Sequence, residues 1–77
     1  MNIGKRILPL LEKRAMTQAK LAETVGVTAT TMSRWISGSR VPKANHLLYM
    51  ADALGVSADY ILGRTDNEQG IGGNNIR

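Results

Sequence analysis

The stretch from Gln18 to Trp35 constrains the fold of this chain more than any other part of it. Leu21 and Val25 stand four residues apart, and Met32 and Trp35 stand three apart, so each pair marks one apolar stripe on a short helix. Gly26 lies between the pairs and supplies a residue that can turn left-handed to end the first helix. Ala22 places a small side chain where the two helices must approach closely. Thr17 and Thr28 occupy the N-cap positions of helices expected over 18–25 and 29–37. The outward positions of the second helix are small, polar or cationic. The pattern is that of a helix-turn-helix, whose second helix can lie in the major groove of duplex DNA.

The flanking sequence extends this into an all-α, compact five-helix domain. Asn2 can cap a first helix in which Ile3, Ile7, Leu10 and Leu11 share one face. Pro9 removes a backbone donor from that helix and is expected to kink it or delay its start. Gly38 stops the third helix, and residues 39–43 form a loop. Leu47, Leu48, Met50, Ala51 and Leu54 mark a fourth helix ending at Gly55, and Ser57 caps a short fifth through Leu62. The expected domain is residues 1–63. Residues 64–77, which are glycine- and asparagine-rich and without period, are expected to be a flexible tail or linker.

Composition narrows the function. A chain of 77 residues with 43% hydrophobic content suits one small packed domain. It has no cysteine and a single histidine, His46, so neither a disulfide framework nor a metal cluster is expected, and no cofactor. No run nears the roughly 20 apolar residues of a membrane span, and no secretory leader opens the sequence, so no membrane association and a cytoplasmic location are expected. Nucleophile–histidine sets and usefully spaced carboxylate pairs are lacking. The run Gly70-Ile71-Gly72-Gly73 follows no strand, so an enzyme is not expected.

The charge is unevenly placed. The chain carries a net +4, yet residues 1–43 hold Lys5, Arg6, Lys13, Arg14, Lys20, Arg34, Arg40 and Lys43 against only Glu12 and Glu23. Residues 44–77 hold Arg64 and Arg77 against Asp52, Asp59, Asp66 and Glu68. A basic half that contains the helix-turn-helix points to a polyanionic partner.

Gln18, Ala22, Gly26, Met32 and Trp35, then Gly38-Ser39-Arg40-Val41-Pro42, then Leu54 through Leu62, together resemble the Cro/C1-type (Xre-like) helix-turn-helix repressors of phages and bacteria. The resemblance spans residues 3–63. It implies a lambda-repressor-like domain that binds double-stranded DNA as a two-fold homodimer, weak without DNA, on an inverted-repeat operator. Carried over position by position, it implies base contacts from Thr28, Ala29, Thr30, Ser33 and Arg34. It also implies phosphate contacts from Gln18, Arg40 and Lys43. Leu21, Ala22, Val25, Gly26, Met32 and Trp35 are its structural anchors. Arg34 is the strongest base-reading candidate, because a guanidinium can bond guanine O6 and N7 together. His46 is assigned no chemistry. The family commonly pairs an Arg of helix 1 with a Glu after the recognition helix, whereas here those positions are Leu11 and Ile36, expected to meet in an apolar contact. An alternative use of the same domain is an antitoxin-like or other protein-interaction module, with Tyr49 and Tyr60 on the binding surface.

Overall fold

The computed structural model describes residues 2–70. Its regular elements are α1 (Gly4–Lys13), α2 (Gln18–Val25), α3 (Ala29–Ser37), α4 (Ala44–Leu54) and α5 (Ala58–Ile61). Helix α2 packs on α3 and α4, α1 packs on α3 and α5, and α5 closes against α4. None of the described helices is long and apolar enough to cross a membrane.

The caps are where the sequence places them. The hydroxyls of Thr17, Thr28 and Ser57 accept from the N–H groups of Lys20, Thr31 and Tyr60 at 3.0, 3.1 and 3.0 Å. Asn2 Oδ1 accepts from the Gly4 N–H at 3.0 Å, so the first turn of α1 is capped from one residue further upstream than Ile3. Pro9 does not delay α1, which starts at Gly4 and continues through the proline to Lys13.

The end of α1 carries no glycine. Ala15 adopts φ 53°, the left-handed position that glycine fills after α2, α3 and α4. The bond that closes the motif is nonetheless made, with the Met16 N–H donating to the Leu11 carbonyl at 2.9 Å.

One apolar cluster joins all five helices. Leu21, Ala22, Val25, Met32 and Trp35 are all buried in it. Leu11 and Ile36 are buried in the same cluster, on the facing helices α1 and α3, so the place of the family's ion pair is apolar on both sides. Gly4 is buried as well, and a side chain there would run into the backbone carbonyl of Ile36.

Residues 64–70 are not the loose start of a tail. The Ser57 N–H donates to the Glu68 carbonyl at 2.6 Å, and Gly70 is buried beside the Ser57 side chain. Asp66 pairs with Arg6 at 2.8 Å, and Glu68 pairs with Lys13 at 3.1 Å and Arg14 at 3.6 Å. Two acidic residues of the back half, Asp66 and Glu68, thus lie against the basic first helix and its end. Residues 71–77 of the expected tail lie outside the described residues.

Candidate nucleic-acid interface

Helix α3 is anchored from behind by Met32, Trp35 and Ile36, which turns the opposite face outward. Thr28, Ala29, Thr30, Ser33 and Arg34 are all exposed on that face and at its N-terminal turn. The structure therefore brings the five sequence-derived base-contact candidates onto one surface. Thr28 is partly committed elsewhere, because its hydroxyl accepts from the Thr31 N–H and donates to the Thr31 hydroxyl at 3.0 Å. What Thr28 can still offer a base edge is one lone pair and its methyl group.

Gln18 is exposed at the first turn of α2, beside backbone N–H groups that no carbonyl of the helix uses. Arg40 and Lys43 lie in the loop after α3, and three successive N–H groups leading into that loop converge on one acceptor. The Arg34 carbonyl receives the N–H groups of Gly38, Ser39 and Arg40 at 3.1, 3.0 and 3.2 Å. Gly38 makes this possible at φ 88°, and buried Pro42 pins the other end of the loop.

As a result, Arg34, Arg40 and Lys43 line one cleft of about 320 Å³ between α3 and the start of α4. Arg34 thus sits with the two residues expected to grip phosphates. Sequence reasoning missed two further residues of this cleft, Thr31 and His46. The signal was available for His46, since its place in the first turn of α4 brings it back beside the loop that carries Arg40 and Lys43. The imidazole packs on the Trp35 ring with centroids 5.1 Å apart.

The electrostatics separate the two basic regions. On α1 and at its C-cap, Arg6, Lys13 and Arg14 are paired with the carboxylates of Asp66 and Glu68. The hydrogen bond from Lys13 holds the Glu68 carboxyl below its ordinary range, against a smaller opposing effect of desolvation. Asp66 likewise holds Arg6 in its charged form, and the guanidinium also covers the half-buried ring of Tyr60 at 4.5 Å. Among the described residues, Arg34, Arg40 and Lys43 form no ion pair. Uncompensated positive charge is therefore concentrated beside the outward face of α3.

Comparison with known proteins agrees with this architecture. A helix-turn-helix family model matches residues 10–61. The cryptic phage CTXphi transcriptional repressor RstR of Vibrio cholerae is 34% identical over 71 residues, a match covering 90% of this chain and 63% of the repressor's length. Among solved structures, the DNA-binding domain of the P22 c2 repressor in solution superposes with a TM-score of 0.77 at 32% identity, covering 92% of each chain. The P22 c2 repressor in complex with a synthetic operator gives a TM-score of 0.73 at 33% identity, covering 79% of this chain and 92% of that one. The fold, the motif and these matches together place the chain in the Cro/C1-type helix-turn-helix family.

Proposed function

We propose that this chain is a sequence-specific DNA-binding transcriptional regulator, a repressor, that reads the major groove with α3 and binds as a two-fold dimer. The observation that carries this reading is the pairing of an exposed, small-residue face on α3 with the free cations Arg34, Arg40 and Lys43 at its edge. Such a face admits close approach to base edges, while the cations supply the phosphate attraction that dominates affinity. The similarity to repressors, one of them solved on an operator, supports the same reading. Ala29, Thr30, Ser33 and Arg34 are the proposed base readers, with Thr28 contributing mainly as the cap that aims the helix. Gln18, Arg40 and Lys43 are the proposed phosphate contacts. A regulator of this kind works where the chromosome is, in the bacterial cytoplasm.

Few long polar side chains stand on the reading face, so sequence-dependent DNA shape is proposed to share in the specificity. The test is selection of sites from a random duplex pool by the purified protein. Enrichment of an inverted repeat with half-sites roughly 10 base pairs apart supports a two-fold reader. Recovery of unenriched sequence overturns it.

A further inference from the structure

Thr31 stands on the reading helix and lines the cleft, yet the DNA-reading scheme leaves it without a task. Its hydroxyl accepts from the Thr28 hydroxyl at 3.0 Å, and its N–H donates to the same Thr28 oxygen at 3.1 Å. These two bonds use different parts of the Thr28 hydroxyl. The first takes its only hydrogen, and the second takes one of its two lone pairs. Thr28 is exposed at the N-terminal turn of α3, so one lone pair is left for a partner outside the protein. Among the described residues, none accepts the hydrogen of the Thr31 hydroxyl.

We propose that Thr31 fixes the sense of the Thr28 hydroxyl as an acceptor, so that the first turn of α3 selects an exocyclic amine, adenine N6 or cytosine N4, on the contacted strand. The inference rests on the DNA-binding reading above and adds a specificity to it. Thr28 meets the base, and Thr31 is a positioning residue that acts through it. In the major groove adenine and cytosine offer an amine donor where thymine and guanine offer a carbonyl acceptor. A hydroxyl with a free hydrogen turns to suit either, and so discriminates little. Once its hydrogen is given to Thr31, the Thr28 oxygen meets a carbonyl base as one acceptor facing another, and both groups go unpaired. An anion drawn to Arg34, Arg40 and Lys43 in the cleft that Thr31 lines favours the same sense. It attracts the Thr31 hydrogen outward and leaves the Thr31 lone pairs to Thr28.

The experiment selects duplex sites with the wild-type protein, with Thr31→Val, which keeps the branched shape without the hydroxyl, and with Thr31→Ser, which keeps the hydroxyl. The wild type is expected to prefer adenine or cytosine over thymine or guanine by about three- to tenfold at one base pair of each half-site. Thr31→Ser is expected to retain that preference. Thr31→Val is expected to lose it at that pair alone and to keep the rest of the site. An unchanged preference in Thr31→Val overturns the proposal, and so does an even loss across all positions, which would make Thr31 a purely structural residue. A second measurement needs only the wild-type protein. Replacing the selected adenine or cytosine by its analogue without the exocyclic amine is expected to weaken binding about three- to tenfold. Equal affinity for the two duplexes overturns the proposal. Enrichment of an inverted repeat with no such amine preference leaves the regulator reading standing, so failure of one is distinguishable from failure of the other.

Discussion

Gly4 of α1 rests against the backbone carbonyl of Ile36 in α3, so closely that no side chain fits between them. This contact brings the first helix onto the back of the reading helix, where Ile36 is buried beside Trp35 and Met32. Gly4→Ala is therefore expected to be destabilising although it improves helix propensity. The overlapping atom is backbone, which cannot rotate away, so a net loss of about 1–3 kcal/mol is expected. Denaturant unfolding checks the sign. A gain in stability would mean that α1 and α3 stand further apart.

Ala15 bears the opposite kind of mismatch. Its φ of 53° costs an alanine energy that a glycine avoids, and the motif around it is already closed by the bond from Met16 to Leu11. Ala15→Gly is expected to stabilise the domain by about 0.5–1 kcal/mol, after the extra chain entropy of glycine is subtracted. A rise in the urea midpoint at unchanged slope is the outcome to look for. No rise would argue against the left-handed turn.

Glu68 ties the segment after α5 to α1, and the tie has a pH dependence of definite sign. The folded-state carboxyl titrates below its ordinary value, chiefly through the hydrogen bond from Lys13. The stability it contributes is thus full above the ordinary glutamate value of about 4.3 and is lost as pH falls through the lower, folded value. The Ser57 amide, bonded to the Glu68 carbonyl at 2.6 Å, is expected to shift in step with the Glu68 carboxyl during an acid titration followed by NMR. In Glu68→Gln that shared transition disappears. A Ser57 amide that ignores the titration would separate the backbone contact from the ion pairs.

Arg34 and Lys43 share a cleft yet are assigned different work. Arg34→Ala is expected to cost about 1–3 kcal/mol on the selected site and to relax specificity at one base pair. Lys43→Ala is expected to weaken all duplexes alike and to lower the salt slope by roughly one. Binding titrations on matched and mismatched duplexes at several salt concentrations tell them apart. Equal, sequence-independent losses from both would move Arg34 to the phosphate contacts.

The readable parts of this protein are those governed by local rules. Thr17, Thr28 and Ser57 cap helices because a hydroxyl at that position satisfies an N–H that the helix cannot. Gly26, Gly38 and Gly55 end helices because only glycine turns left-handed without strain. The exposed face of α3 follows from the same periodicity that buries Met32 and Trp35, so the candidate reading surface was legible as well.

Charge pairings between distant segments, and the surroundings of His46, were not legible. An acidic pair two residues apart in a glycine-rich tail looks like solvated chain until the fold sets Glu68 beside Lys13 and Arg14. His46 looks like an idle surface residue until α4 brings it onto Trp35, in the same cleft as three cations. Pro9 looks like a break until the helix continues through it. Helix type, caps, turns and the inward–outward division were determined by the sequence itself, since each is an energy balance among neighbours in the chain. Which charges are cancelled, and which remain free beside α3, was decided by the tertiary structure alone. Electrostatic attraction depends on distance in space, and only the folded chain sets the distance from residue 68 to residue 13 or from residue 34 to residue 43.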